Sequence, residues 1–316
     1  MSAALEAGRT QGLARRLRVG DAAYHRVLAG FGILILLLFA AVAASLLLQA
    51  WPGFFHSGFG FITSTTWDPN HAQYGALPFV VGTLLTSAIA LVIAIPVGIG
   101  AAIFLSEYAP RSVKGLLGLL VELLAAVPSV VYGLWGLLVL GPVFASSVEP
   151  HLTALPFAHG PVLGVGLLLA GVVLAVMVLP TIVAITRDLA NAVPAPTREA
   201  VYGLGGTRWQ VMRRAVLPTI RAGLIGAAVL GLGRALGETM AVTFVIGNKN
   251  QIPDSLLAPA QTLASVIANE FTEATEPFHV SSLLGLAVLL LVIAVVVNAV
   301  ARLLVWNVSR KLGEQA

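Results

Sequence analysis

The chain has 316 residues, of which 58% are hydrophobic and only 10% are charged, whereas an average soluble domain is about 25% charged. This composition excludes a water-soluble fold, and the absence of cysteine excludes disulfides, cysteine-ligated metals and thiol catalysis. The formal net charge of +4 would suit nucleic-acid binding. In a membrane protein, however, an excess of basic residues more often reflects their enrichment in cytoplasmic loops.

Apolar runs bounded by charged residues predict six transmembrane helices, because a bilayer core about 30 Å thick requires about 20 apolar residues in a helix. The predicted helices occupy residues 28–49, 79–105, 115–140, 161–186, 222–247 and 281–305. The first run lacks a small-residue cleavage site, so it is interpreted as a helix rather than a signal peptide. The predicted fold class is therefore an all-α integral membrane protein.

The distribution of Lys and Arg predicts the orientation of these helices, since positive residues collect in cytoplasmic loops. Almost all of the 18 basic residues lie in the two termini, between helices 2 and 3, or between helices 4 and 5. The segments on the opposite side, 50–78, 141–160 and 248–280, contain a single basic residue, Lys249. Both termini are therefore predicted to be cytoplasmic. Arg234 is the one basic residue that topology does not explain, because it falls inside helix 5.

The predicted layout has five consecutive parts and one elaborated loop. The parts are a cytoplasmic segment (1–27), a first transmembrane helix (28–49), an external loop (50–78), a core containing helices 2 to 6 (79–306) and a cytoplasmic tail (307–316). The elaborated loop, 187–221, connects helices 4 and 5 on the cytoplasmic side.

Two prolines interrupt predicted helices. Pro96 lies in helix 2 and Pro128 in helix 3, and each is either a simple bend or a hinge for a gate, because proline frees a backbone carbonyl. Glu122 is expected about 10 Å into helix 3. There its carboxylate would be partly hydrated or would meet cytoplasmic arginines.

The loop 187–221 predicts a short helix, a turn and a second, amphipathic helix. The stretch 194–197 is expected to start the first helix, with Thr197 as its cap, and Gly205 with Gly206 to end it. The functional interpretation is a docking element for a partner. The alternative is a basic helix that rests on anionic lipid.

The spacing of Glu199-Ala200, Gly205 and Leu217-Pro218 resembles the cytoplasmic "EAA" signature of ABC importer permeases. In that family the segment forms a coupling helix that docks into a groove on the ATPase subunit. The resemblance implies that Glu199, Ala200, Gly205, Leu217 and Pro218 are the coupling positions of this chain.

Arg234 and Glu238 are spaced i and i+4, so a continuous helix 5 would place them on one face and allow them to pair. Their expected depths are about 18 and 24 Å, and an arginine near the midplane costs about 2.5–3.5 kcal/mol. One interpretation is a station for a phosphate-like oxyanion, since a guanidinium offers several donors in a planar fork. The other is mutual neutralisation, or pairing with another subunit, that ties the bundle together.

Glycines surround this pair at positions 231, 233 and 237. Small residues allow close helix approach or let a ligand reach the backbone. Packing is the favoured explanation from the sequence.

Further stretches resemble the PstC permease subunits of phosphate-specific transport (Pst) systems. They are residues 75–79, 104–110, 128–136, 233–241 and 268–271. The resemblance covers about residues 24–306 and is most specific at 233–241. It implies a type I ABC importer permease in the bacterial inner membrane, with Arg234, Glu238 and Thr239 on the path of phosphate.

The same resemblance implies a set of partners and cofactors. The partners are a second, PstA-like permease or a homologous copy, two ATPase subunits, an external phosphate-binding protein and membrane lipid, without nucleic acid. No Gly-x-x-x-x-Gly-Lys-Ser/Thr phosphate loop occurs in the sequence. We therefore expect no cofactor on this chain, with ATP and Mg²⁺ held by the ATPase.

Two other classes of function fit the sequence poorly. An intramembrane enzyme is disfavoured because all six histidines fall outside the predicted helices and neither His-Glu-x-x-His nor Gly-x-Ser-x-Gly occurs, so no catalytic or metal-binding residue is predicted. An ion-coupled carrier is disfavoured because no repeat is visible. The residues leave open phosphate against related oxyanions, a C-type against an A-type permease, and the subunit stoichiometry.

Overall fold

The computed structural model describes the backbone of residues 2–313, and the side chains of residues 24–303 apart from 56, 57 and 111. The described backbone is helical except for connecting loops and one small hairpin. The helices are α1 (Ser2–Ser57), α2 (Gly60–Thr63), α3 (Leu77–Tyr108), α4 (Arg111–Ala126), α5 (Ser129–Leu152), α6 (Leu167–Ala192), α7 (Ala195–Gly203), α8 (Arg208–Leu236), α9 (Met240–Val245), α10 (Leu263–Glu270) and α11 (Pro277–Gly313). The hairpin pairs β1 (Trp67–Asp68) antiparallel with β2 (Gln73–Tyr74).

Six helices of the described residues are long and apolar enough to cross a membrane. They are α3, α5, α6 and α8, together with Tyr24–Phe55 of α1 and Pro277–Leu303 of α11. The prediction of an all-α protein with six transmembrane helices is therefore confirmed.

The predicted third helix, 115–140, is wrong in its bounds. The chain leaves the helical conformation at Val127 (ψ 129°) and Pro128 (ψ 143°), so α4 ends before them and α5 begins after them. The physical reason is that a proline disfavours helical geometry in the residue before it. Pro128 is thus a junction between two helices and not a bend inside one, whereas Pro96 does lie within α3.

Glu122 consequently lies on α4, outside the spanning helices. Its side chain is 61% exposed and forms an ion pair of 3.3 Å with Arg187 of α6. The expectation that this carboxylate would be hydrated and meet an arginine is confirmed.

The fourth helix begins later than predicted, at Leu167 instead of residue 161. The preceding segment cannot be helical because Gly160 and Gly164 have positive φ angles of 123° and 65°. The first residues of α6 instead bond to another loop, with the Leu167 and Leu168 amides donating to the carbonyls of Ala258 and Leu256 at 3.1 and 2.8 Å.

The chain divides into two units, one ending at Gln49 and the other beginning at Ala50. In the second unit the most buried span is α6, with 61% of its apolar window enclosed by protein. The core around it includes Leu174 and Val178 of α6, Ala90 of α3 and Val242 of α9. This arrangement places α6 beside both α3 and the α8–α9 segment, which contains the candidate site.

Candidate functional site

The polypeptide is interrupted between α8 and α9, where the sequence predicted one continuous helix over 222–247. Helix α8 ends at Leu236 with Gly237 as its C-cap, and α9 starts only at Met240. The Glu238 carboxylate accepts a hydrogen bond of 3.1 Å from the Ala241 amide, and the Thr239 hydroxyl donates to the Gly237 carbonyl at 3.3 Å. Side chains thus take over hydrogen bonds that a continuous helix would make within its backbone.

The break separates the two charged residues of the predicted pair. Arg234 lies in the last turn of α8, whereas Glu238 lies between the helices. No ion pair joins them within 4.0 Å, although both side chains are among those described. The expected pairing across one helical face is therefore wrong, because the helix stops before it reaches Glu238.

Arg234 has one hydrogen bond within the described part of the chain, a long one of 3.4 Å from Nη1 to the Thr181 hydroxyl of α6. The side chain is half-buried within a candidate span. Most of its N–H donors therefore have no acceptor among the described residues and are available to another group. An oxyanion matches this requirement, because a guanidinium binds it through parallel, charge-assisted hydrogen bonds.

The three glycines near Arg234 do not share one explanation. A Cβ atom on Gly231 would lie 2.9 Å from Val178 Cγ1, so this glycine is required by packing against α6. A Cβ atom on Gly233 or Gly237 would meet nothing closer than 3.8 Å. The predicted packing explanation therefore holds for Gly231, whereas Gly233 and Gly237 leave room for a methyl group, with the nearest atoms on Asn298 and on the Gly233 carbonyl.

Helix α9 packs closely on α5 through a glycine that the sequence reasoning did not single out. A Cβ atom on Gly133 would lie 3.0 Å from Ala241 Cα and 2.7 Å from the Phe244 ring. Helix α9 is also bonded to the start of α6, since the Gly166 amide donates to the Val245 carbonyl at 2.9 Å. These contacts hold the segment beyond the break in place against two other spans.

The loop between α6 and α8 forms the expected helix, turn and second helix, but with a different cap. Helix α7 follows Pro194 without a side-chain cap, so the prediction of Thr197 as the cap is wrong. The cap belongs to α8, where Thr207 and Gln210 bond reciprocally to each other's backbone amides. Gly205 lies in the turn with φ 78°, a conformation that favours glycine.

The predicted coupling positions fall on two kinds of surface. Glu199, Ala200 and Gly205 are exposed, whereas Leu217 is partly buried in the cluster that packs α8 on the end of α6. Pro218 follows within α8 and is exposed. The exposed positions are accessible for docking, and Leu217 holds the loop to the bundle.

Three exposed apolar side chains surround the Gly205 turn and were missed by the sequence reasoning. Leu204 is 90% exposed, Trp209 58% and Tyr202 45%. An exposed apolar cluster of this kind marks an interaction surface. The available signal was the presence of large apolar residues in an otherwise polar loop.

A polar cluster, which the sequence did not predict either, holds the hairpin to α10 and α11. Glu270 Oε2 accepts from Trp67 Nε1 at 2.8 Å and lies 3.0 Å from His279 Nε2, while Oε1 accepts from Asn250 Nδ2 at 3.3 Å. Burial raises the pKa of the neighbouring Tyr74 hydroxyl, and nearby carboxylates, Glu276 first, add to this effect. This cluster lies in the segments that connect span 1 to span 2 and span 5 to span 6, whereas α7 connects span 4 to span 5. The cluster and α7 therefore lie at opposite ends of the bundle.

Known proteins similar to this chain are membrane components of transport systems. Residues 94–312 match the family described as "Binding-protein-dependent transport system inner membrane component". The "Phosphate transport system permease protein PstC" of Mesorhizobium japonicum is 45% identical over 95% of this chain and 94% of the relative. The protein of the same name from Haemophilus influenzae is 43% identical over 93% and 96%. PstC 1 of Mycobacterium tuberculosis is 40% identical over 94% and 97%.

Solved structures with the same fold come from ABC transporters. A chain of the inward-facing MetNI methionine transporter gives a TM-score of 0.55 at 17% identity and covers 77% of this chain and 99% of that chain. A chain of a bacterial alginate transporter, in complex with an alginate-bound periplasmic protein, gives 0.60 at 16% identity and covers 89% and 94%. The chain therefore has the ABC importer permease fold, and it belongs to the binding-protein-dependent inner membrane components and, among them, to the PstC permeases.

Proposed function

We propose that this chain is the membrane-spanning permease subunit of an ATP-driven importer for inorganic phosphate. It is a transporter component and not an enzyme. The substrate is inferred from relatives that are named phosphate permeases and align over 93% or more of this chain. The observation that carries the proposal is the half-buried Arg234, whose one long hydrogen bond to Thr181 leaves most of its donors available beside the α8–α9 break.

Phosphate would meet Arg234 at this break. A cation in a span is costly unless it faces a polar path or a partner, and an oxyanion supplies that partner while it passes. Glu238 would hold the start of α9 through the Ala241 amide, and Thr239 would offer a further hydroxyl on the path. Gly233 and Gly237 leave room on this face, where a Cβ atom on Gly233 would lie 3.8 Å from the Asn298 side chain.

Energy would be supplied in trans through α7. Its exposed Glu199 and Ala200, together with Leu204 and Trp209, would dock on an ATPase subunit that holds ATP and Mg²⁺. Closure of the ATPase pair would move this loop and switch the path between outward and inward access. Both termini and the α7 loop would then lie in the cytoplasm, in agreement with the basic residues concentrated there.

The remaining partners are proposed by analogy with the family. A second permease, PstA-like or a homologous copy, would complete the path beside Arg234. Two ATPase subunits would dock on the two permeases. An external phosphate-binding protein would deliver substrate to the end of the bundle that carries the hairpin.

The test is transport by the reconstituted complex in proteoliposomes. Phosphate uptake is expected to require ATP on the ATPase side and the binding protein on the other side, and not an ion gradient. Excess sulfate should leave uptake unchanged, whereas arsenate should compete with phosphate. Uptake driven by an ion gradient without ATP would overturn the proposal. Transport of sulfate at the same rate as phosphate would overturn the assignment of phosphate as the substrate.

A further inference from the structure

Arg198 connects the short helix α7 to two spanning helices at once. Its Nη1 donates to the Val193 carbonyl at 2.8 Å, and its Nη2 donates to the Ala190 carbonyl at 2.5 Å, both at the end of α6. Nη2 also donates to Glu107 Oε1, in the last turn of α3, at 2.9 Å. One side chain thus joins three elements.

These contacts are withdrawn from solvent. The side chains of Arg198 and Glu107 are only 21% and 17% exposed, and Arg198 Nε is fully buried. Removing one member of a buried ion pair leaves the other charge uncompensated. The Arg198–Glu107 contact is therefore a firm attachment, unlike the pair of Arg187 with Glu122, whose carboxylate side chain is 61% exposed.

The chemistry of the contact requires arginine. A planar guanidinium can donate in several directions at fixed angles, whereas a lysine ammonium on a flexible stem cannot reproduce that geometry. The carbonyls of Ala190 and Val193 belong to the C-terminal end of α6, where a cation is favoured by the helix dipole. Arg198 therefore fits this helix end both by shape and by charge.

The two helix ends that Arg198 joins also pack against each other. Ile103 of α3 lies against the buried cluster that contains Ala190 and Val193 at the end of α6. On α7, the residues that follow Arg198 in sequence, Glu199 and Ala200, are exposed. Helix α7 thus has a polar attachment to the bundle through Arg198, an apolar one through Val201, which packs against the cluster containing Ala190 and Val193, and an exposed surface that is open to a partner.

We propose that Arg198 is a positioning residue that makes α3 and α6 follow α7 when a partner displaces that helix. The proposal rests on the proposed coupling role of α7. Without this attachment, α7 would still bind the ATPase through its exposed residues, but its displacement would be absorbed in the loop at 193–194. ATP hydrolysis would then be separated from transport.

The experiment measures phosphate transported per ATP hydrolysed by the complete complex with its binding protein. The variants are Arg198→Ala, Arg198→Lys and Glu107→Gln, with Glu122→Gln as the matched control that breaks the neighbouring ion pair. The amount of ATPase that co-purifies with each permease variant is measured in parallel.

We expect Arg198→Ala to keep the ATPase bound and to lower the transport-to-hydrolysis ratio about tenfold, in the usual range of coupling between distant sites. Glu107→Gln should also lower the ratio. The double variant Arg198→Ala/Glu107→Gln should have a ratio no lower than that of Arg198→Ala, because both changes break the same Arg198–Glu107 contact. Arg198→Lys should restore part of the ratio. Glu122→Gln should match the wild type.

Three results would overturn the proposal. The first is an unchanged ratio in Arg198→Ala and Glu107→Gln. The second is loss of co-purifying ATPase in proportion to lost transport, which would indicate a purely structural role. The third is an equal loss in Glu122→Gln. If Arg198→Ala does not fold, the ratio measured for the isosteric variant Glu107→Gln decides whether the proposal stands. Failure of the coupling function itself would appear separately, as ATP-independent uptake by the wild-type complex.

Discussion

At the scale of single residues, the position of Arg234 depends on where its helix stops. A continuous helix would have given it Glu238 as a partner one turn later. In the structure Gly237 ends α8, and Glu238 bonds instead to the Ala241 amide. Among the described residues the cation is thereby left with Thr181 at 3.4 Å, so most of its donors are available for the anion that we propose.

Replacing Arg234 by alanine is expected to reduce phosphate uptake to background while the complex remains assembled. Losing two charge-assisted hydrogen bonds of about 1.5–3 kcal/mol each would lower anion occupancy by about 100-fold or more. Arg234→Lys should retain partial uptake, because it keeps the charge but not the planar fork. The measurement is initial uptake of labelled phosphate in cells or proteoliposomes.

The control for this variant is Arg302→Ala, which removes an exposed cation near the end of the last span. It should leave uptake unchanged. Wild-type uptake by Arg234→Ala would remove this residue from the transport mechanism.

At the scale of elements, the α7 loop depends on one backbone conformation. Gly205 has φ 78° with open space around it, so the limit at this position is backbone strain and not crowding. Gly205→Val should cost about 1–2 kcal/mol in the turn and misplace Leu204 and Trp209. We expect the permease to accumulate normally and to retain less ATPase on co-purification.

Gly203→Ala is the matched control for the turn, since it also has open space but ends α7 without a positive φ. It should retain the ATPase fully. Undiminished ATPase binding by Gly205→Val would count against the assignment of α7 as the coupling helix.

The hairpin β1–β2 depends on the carboxylate of Glu270. Glu270→Ala would leave the half-buried Asn250 amide and the buried Trp67 indole without their acceptor, at a cost of about 1–3 kcal/mol for the buried Trp67 donor. Backbone hydrogen exchange over residues 67–74 should therefore accelerate. Glu273→Ala, which removes an exposed carboxylate nearby, should leave the exchange unchanged, and equal protection in both variants would show that Glu270 does not anchor the hairpin.

At the scale of the whole molecule, the proposed topology can be tested directly because the chain contains no cysteine. Asn70→Cys, in the hairpin segment, should react with a membrane-impermeant maleimide added outside intact spheroplasts. Ser112→Cys, at the start of α4, should react only after the membrane is permeabilised. Both positions are exposed, so a reversed labelling pattern would contradict the orientation inferred from the basic residues.

Much of the architecture could be predicted because lipid imposes a simple rule. A run of about 20 apolar residues must form a helix across the bilayer, since its backbone polar groups have no other partners there. Six such runs were found, and each overlaps one candidate span, although the third also contains α4, which is not a span. The bounds were less predictable at Pro128, Gly164 and Gly237, where single residues end or delay a helix inside an apolar stretch.

The sequence by itself determined the number of spans, the family and the identity of Arg234 as the one basic residue far from the ends of a predicted span. These features depend on composition and local spacing. The tertiary structure alone decided that Arg234 and Glu238 are not paired, that Gly231 is packed against Val178 whereas Gly233 and Gly237 are not crowded, and that Arg198 reaches Glu107, which is distant in sequence. Such contacts depend on how helix ends meet in space, and the local periodicity of a sequence contains no information about the relative positions of distant segments.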